Sequence, residues 1–188
     1  MKNTKQELLE VINKDDIVIG LETRKIIHEK GLLHREIHVW FVTPNREIIF
    51  QHRAKGKDTY PDKLDATIGG HVEPGMSYDE TALKEAEEET GINVKPSNLK
   101  LVKKMFNKSF DEVTKRTNNT VRSQYVYLFD GKIEDLRIEP DKALGFEAWK
   151  IDSLHNLNEE DKHKFIPMIL SKEFFDLFEE SQKLLGLK

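Results

Sequence analysis

Residues 77 to 91 read SYDETALKEAEEETG and carry both a start and a stop signal for one short helix. Ser77 followed three residues later by Glu80 forms a capping box, in which each side chain satisfies an orphan backbone N–H of the first turn. Gly91 suits the left-handed position that closes a helix. The spacing therefore predicts a helix over residues 78 to 90. At about 100° per residue, Glu85, Glu88 and Glu89 project from one face, and Ala82, Leu83 and Ala86 supply an apolar flank.

Three carboxylates on one face repel each other by a few tenths of a kcal/mol per pair, and at a helix C-terminus they also oppose the macrodipole. A hard divalent cation reverses that penalty. Oxygen-only ligands in a chain without cysteine favour Mg²⁺, with Mn²⁺ as the alternative, over zinc. Mg²⁺ commonly shares its coordination sphere between one or two carboxylates and substrate phosphates, so a small-molecule diphosphate is the natural partner. Taken alone, an acidic run is more often a solvated helix face.

The flanking residues change that balance. Gly70, Glu85, Ala86, Glu88, Glu89, Gly91 and Ile92 fall at the spacing of the Nudix box, which the segment from 70 to 92 resembles. The resemblance implies a loop, helix, loop element that binds divalent metal, with Glu85, Glu88 and Glu89 as ligands and as the catalytic carboxylates. Two positions depart from the pattern: Met76 stands where the family has glutamate, and Lys84 where it has arginine. Lysine keeps the charge but loses the planar fork, and Glu80, four residues earlier, is its expected partner on the helix surface.

At 188 residues, 37% hydrophobic and 34% charged, the chain is expected to form one globular domain. It would comprise an N-terminal extension (1 to 30), the box (70 to 92) and a C-terminal helix (164 to 185). A net charge of −4 gives no electrostatic footprint for long nucleic acid. No run reaches transmembrane length, and the first residues lack the apolar core of a signal peptide, so the expected address is the cytoplasm, without membrane association. The absence of cysteine agrees with that compartment.

Along the chain, Lys5 to Ile12 reads as a short amphipathic helix and Thr23 to Lys30 as another that stops at Gly31. His38 to Thr43 and Glu47 to His52 are β-rich runs around Pro44, Asn45 and Arg46, a hairpin signature. Residues 55 to 66 form a polar loop. Further strands are expected over Leu99 to Asn107, Val121 to Asp130 and Phe146 to Ile151, with the polar stretch from Asp111 to Thr120 as an excursion overhanging the site. Lys164 to Leu185 reads as a helix with Pro167 near its start. This order is what the Nudix α/β/α sandwich, an α/β fold with a mixed central sheet, requires.

The segments from Gly31 to Val42 and from Ile48 to Gly75, with the later GFEAW and KFIPMIL, resemble the Nudix branch related to isopentenyl-diphosphate isomerases. That likeness implies a choice between isomerase and hydrolase. The isomerases use a catalytic cysteine near the loop before the box. Here Thr67, Ile68, Gly69 and Gly70 stand in that place, and a threonine hydroxyl is a poor proton donor at neutral pH. Hydrolysis of a diphosphate linkage, in a nucleoside diphosphate joined to another group or a related phosphorylated metabolite, is the expected reaction. The alternative is a Nudix-fold ligand sensor without turnover, suggested by Met76 and Lys84.

Gly69 and Gly70 permit close backbone approach to an anion, and Gly69 equally suits a turn. His71 is a candidate substrate contact, although a single loop histidine is more often neither ligand nor catalyst. Arg53, followed by Lys55 and Lys57, reads either as a phosphate clamp or as a solvated basic turn. Glu88 and Glu89 are the preferred general bases, with Glu139, Asp141 and Glu147 as substitutes beside Lys142 and Ala143, where related sequences often carry Glu-Val. Trp40 and Trp149 are expected in the core, Tyr60 and Phe110 against an aromatic ligand. Substrate specificity is expected in residues 54 to 66 and 107 to 121, and a homodimer is expected through the N-terminal segment or the C-terminal helix.

Overall fold

The computed structural model describes residues 7–57, 59–112 and 114–187 of the chain. Its first elements are an antiparallel pair, β1 (Leu8–Ile12) and β2 (Val18–Thr23), running directly into helix α1 (Arg24–Lys30). The helix expected over 5 to 12 is thus corrected: Leu8 to Ile12 is a strand, and residues 5 and 6 lie outside the described residues. So short a helix is marginal by itself, whereas the strand pairs with β2 and, at Val11, with the strand beginning at His34. Helix α1 follows expectation. The Thr23 hydroxyl accepts from the Ile26 N–H, and Gly31 closes the helix at φ 62°.

Next come β3 (His34–Val42) and β4 (Glu47–Arg53), joined at Pro44 to Arg46, then β5 (Leu64–Asp65), β6 (Ile68–His71) and helix α2 (Tyr78–Thr90). A long hairpin, β7 (Lys100–Asp111) and β8 (Arg116–Leu128), replaces the expected polar excursion: Arg116 to Thr120 pair with Asp111 to Asn107. β9 (Ala143–Lys150) leads into two short helices, α3 (Ile151–Leu154) and α4 (Glu159–Lys162). The C-terminal helix is shorter than expected. Pro167 starts a 3₁₀ turn to Leu170, and α5 occupies Lys172–Leu184, because Ser171 is extended at φ −84°, ψ 156°.

The sheet is mixed and is organised by β3. Along one edge β3 runs parallel to β8 over its whole length, from His34 opposite Thr120 to Val42 opposite Leu128. Along the other edge it pairs with β4 only at Phe41 and Val42, after which β6 takes β4's place beside Val39 to Glu36. β4 diverges to pair with β5 and β9. The splay between β3 and β4 opens the cleft described below.

From Ile37 to Val42 β3 is buried on both faces, and its second half, Val39 to Val42, is a continuous apolar run. Ile37, Val39 and Phe41 face α2 together with Ile49, Ile68, Ala82 and Ala86. Trp40 and Val42 face α5 together with Phe50, Phe165, Phe174 and Phe178. The outcome is the expected α/β/α sandwich. Trp40 is packed edge-on against Phe178, ring centres 5.1 Å apart, and its indole N–H donates to Gln124 Oε1 at 2.8 Å. Trp149 packs in the same manner on Phe165. No helix among the described residues is long and apolar enough to cross a membrane.

Phe178 is buried between Trp40, Phe50 and Phe174. Phe178→Ala is expected to lower stability by about 3–5 kcal/mol, read as a fall in the urea midpoint at unchanged slope.

Candidate metal and phosphate site

Helix α2 has the predicted bounds and caps. The Ser77 hydroxyl accepts from the Glu80 N–H at 3.2 Å, and Glu80 accepts from the Ser77 N–H at 2.9 Å. Gly91 is left-handed at φ 74°. Glu80 is thereby committed to the cap. Lys84 instead pairs with Glu73, in the segment entering the helix, and lies 3.8 Å from Glu88. Met76 packs against the core beneath α2, so both departures from the box pattern have a structural use.

Gly70 is what lets Glu85 reach the sheet. A Cβ at that position would lie 2.8 Å from the Glu85 carboxyl carbon, a distance side chains do not adopt. Gly69 shows the same logic on the opposite face of β6, where an added Cβ would stand 3.3 Å from the His38 ring. The turn reading of Gly69 is therefore corrected: both glycines lie in a strand paired with β3, and their smallness serves close packing. Thr67, just before, is fully buried, its hydroxyl accepting from the Phe41 N–H at 2.9 Å and donating to the Ile49 carbonyl.

The three glutamates are brought together, at different depths. Glu89 is 3% exposed and accepts from Gln51 Nε2 at 3.1 Å. Glu85 lies against Gly70, with Oε2 buried and without a hydrogen-bond partner. Glu88 stands at the half-exposed rim. The Lys142 ammonium sits among them, 3.6 Å from Glu89, 3.9 Å from Glu85 and 2.9 Å from Glu139. Burial, helped by the Glu89 charge, pushes the Glu85 carboxyl up to about 7. Burial also raises Glu89, against the pull of Lys142 and Gln51. A buried oxygen without a hydrogen bond, two carboxyls raised by burial and an ammonium lodged between them make an arrangement that a bound cation would satisfy. The oxygen donor set fits Mg²⁺ or Mn²⁺.

A cleft of about 370 Å³ extends from these carboxylates along the splayed strands. Gly69, Gly70, His71 and Arg53 all line it. Arg53 is less available than the sequence suggests: its guanidinium bonds Asp65 at 2.8 Å and the Thr59 and Tyr60 carbonyls at 2.8 and 3.2 Å, holding the loop after β4 in place. Tyr60 reaches the cleft, whereas Phe110 stands outside it, with Lys115 over its ring. Of the substitute bases, Glu139 binds Lys142, and Asp141 and Glu147 lie off the cleft, Glu147 accepting from the Trp149 indole at 3.1 Å.

The cleft has further residues that, Lys57 apart, were not singled out from sequence. Arg122 and Glu36 form a buried pair on the cleft floor, with N–O distances of 2.6 and 2.8 Å. Against the cost of burial, Arg122 holds the Glu36 carboxyl well below the usual carboxylate range. Arg24, Lys57 and Arg116 add cationic groups to the walls.

A family model described as NUDIX domain matches residues 32–169. An uncharacterized Nudix hydrolase of Clostridium acetobutylicum is 31% identical over 155 residues, 79% of this chain and 72% of that protein. The chain spans about half the length of the next curated relatives it matches. The crystal structure of a Deinococcus radiodurans protein superimposes with a TM-score of 0.68 at 17% identity, covering 93% of this chain and 99% of that one. The NUDIX domain of Shewanella oneidensis NrtR, crystallised with ADP-ribose, superimposes with a TM-score of 0.55 at 14% identity, covering 82% of this chain and 88% of that one.

The raised Glu85 carboxyl couples stability to pH. Between its ordinary value of 4.5 and about 7 the folded chain holds the proton more tightly than the unfolded chain, so metal-free protein loses stability as pH rises through that window. The loss is expected to be on the order of 1–3 kcal/mol and to vanish in Glu85→Gln, as followed by urea titrations across pH. Lys142→Met, which removes the ammonium that a metal ion must displace, is expected to tighten Mn²⁺ binding roughly tenfold, about 1.4 kcal/mol, in mildly alkaline buffer, read by electron paramagnetic resonance of free Mn²⁺.

Proposed function

The chain belongs to the Nudix family, and from that premise we propose that it is a divalent-metal-dependent hydrolase of a diphosphate linkage in a nucleoside diphosphate joined to another group, or in a related small phosphorylated metabolite. The observation that carries this reading is the cation-seeking pocket of Glu85, Glu88 and Glu89 at the head of a cleft whose walls carry Arg24, Lys57 and Arg116. A divalent ion held by the three glutamates would neutralise diphosphate oxygens and lower the pKa of a bound water.

The chain's own residues divide the remaining work. Glu89 is buried and Glu85 nearly so, each beside the Lys142 ammonium, positions suited to holding charge in one place. Glu88, at the half-exposed rim and 3.8 Å from Lys84, is the most accessible of the three carboxylates, and accepting the proton of the attacking water is the role we assign to it. Lys142, on a flexible stem beside Glu85 and Glu89, would yield the carboxylates to a bound cation and offer its ammonium to a phosphate oxygen instead. Arg24, Lys57 and Arg116 attract and orient the anionic end of the substrate, while Tyr60 offers a face to a planar group.

The ADP-ribose held by the NUDIX domain of NrtR is of the proposed substrate class and belongs in the test panel. Thr67, whose hydroxyl is tied into the sheet, supports hydrolysis over an isomerisation that needs an acid at this place. A homodimer would cover the edge strand β2, where Val18, Ile19 and Leu21 are exposed.

The test is monophosphate release from nucleoside diphosphates and triphosphates, nucleotide sugars, ADP-ribose, dinucleoside polyphosphates and isoprenoid diphosphates with Mg²⁺ or Mn²⁺. Turnover is expected to require the metal and to fall by roughly a hundredfold or more in kcat in Glu88→Gln. Tight binding without turnover of any member would replace this reading with a ligand sensor.

A further inference from the structure

Three histidines from three separate elements converge where the N-terminal segment meets the box strand. His28 comes from α1, His34 opens β3 and His71 closes β6. Each offers a ring nitrogen within 4.8 Å of the others, and the Nε2 atoms of His28 and His71 are 3.2 Å apart. The ring centres form a nearly equilateral triangle with sides of 5.2 to 5.3 Å.

Ordinary packing does not account for this arrangement. His34 is fully buried, and its Nδ1 lies 3.0 Å from the Leu32 carbonyl, which makes that nitrogen the donor and leaves a lone pair on Nε2. That Nε2 is buried and has no hydrogen-bond partner. A hydrogen bond between His28 and His71 satisfies one another's nitrogens and leaves His34 unanswered. Buried acceptors are rarely left so. On the far side of His71, the Glu7 carboxylate lies 3.4 Å from Nδ1, the carboxylate-to-imidazole contact that orients a metal-binding histidine and turns its Nε2 toward the other two.

We propose that His28, His34 and His71 form a second metal site, chemically distinct from the box glutamates, that takes a borderline first-row transition ion such as Zn²⁺ or Co²⁺. Three imidazole nitrogens suit such ions and do not suit Mg²⁺, which prefers oxygen. Arg24 and Arg116 flank His28 and repel added positive charge, while Glu7 and Glu36 offset them. His28 and His71 line the cleft, so three protein ligands leave a coordination position facing it. The ion ties α1 and the start of β3 to the strand that carries Gly70. The N-terminal segment thereby becomes part of the cleft wall.

The test uses the full chain, stripped with a chelator and titrated with Co²⁺ in the presence of excess Mg²⁺. We expect a visible cobalt absorption band that saturates at one equivalent and persists in the Glu85→Gln, Glu89→Gln double variant. It should be lost in His34→Gln and in His71→Asn, the latter replacing a less buried ring so that at least one variant keeps the native circular dichroism. Zn²⁺ should raise the melting temperature of the parent chain and leave that of the folded histidine variant unmoved. Absence of a band at equimolar Co²⁺ overturns the proposal, as does a band that survives both histidine variants or disappears with the glutamates. None of these readouts depends on turnover, so a failed hydrolase assay and a failed metal site remain separate results.

Discussion

The structure turns on placing carboxylates where burial favours their neutral form. Glu89 is almost wholly inside the protein and Glu85 is wedged against a strand, positions that carboxylates occupy only when paired or bound to a cation. Much of the surrounding sequence makes that placement physically permissible. Ala82 and Ala86 bring α2 close to the sheet, Gly70 admits the Glu85 side chain, Gln51 donates to Glu89, and Lys142 supplies a positive charge. The capping box and Gly91 fix where the helix begins and ends, and so which face meets the strand.

The cleft exists because β3 and β4 separate after two paired residues. Such a splay exposes backbone groups, and the chain answers with β6 on one side and with β5 and β9 on the other. Thr67 closes the gap where the strands part, its hydroxyl bridging a β3 amide and a β4 carbonyl. Arg53 performs the corresponding task for the loop that borders the cleft, gathering Asp65 and two loop carbonyls around one guanidinium. A residue that reads as a phosphate clamp from sequence is thereby a strut, since a planar fork satisfied on several sides has little left for a ligand.

What was legible in the sequence was local. The bounds of α2, the stop at Gly31 and the β3–β4 hairpin are written in capping residues, glycines and turn residues within a few positions of each other. What was not legible depends on pairing between distant segments. Leu8 to Ile12 carries a helical pattern of apolar residues yet becomes a strand because partners wait at Thr23 and His34. Glu36 and Arg122 are neighbours only through the parallel register of β3 and β8. Lys142 enters the site only because the Ala54 N–H and the Glu139 turn hold its backbone beside the end of β4. The histidines share this character: His71 draws notice beside a glycine pair, but His28 and His34 gain meaning only when α1, β3 and β6 meet.

Lys142 also bears on whether the departures at Met76 and Lys84 silence the site. Met76 fills apolar space and Lys84 holds the helix to Glu73, so each supports α2 without displacing a ligand. The larger change is that a cation of the protein's own occupies the carboxylates. In a rigid group this would compete permanently with metal. Lysine differs, because its backbone is anchored at 3.0 Å from the Ala54 amide while four methylenes separate that anchor from the charge. The ammonium can leave without moving the loop, and a divalent ion, with twice the charge and direct oxygen ligation, would have the stronger claim on the carboxylates. Lysine thus shields the carboxylates from one another in the metal-free protein, and the same geometry would leave the site open to a cation.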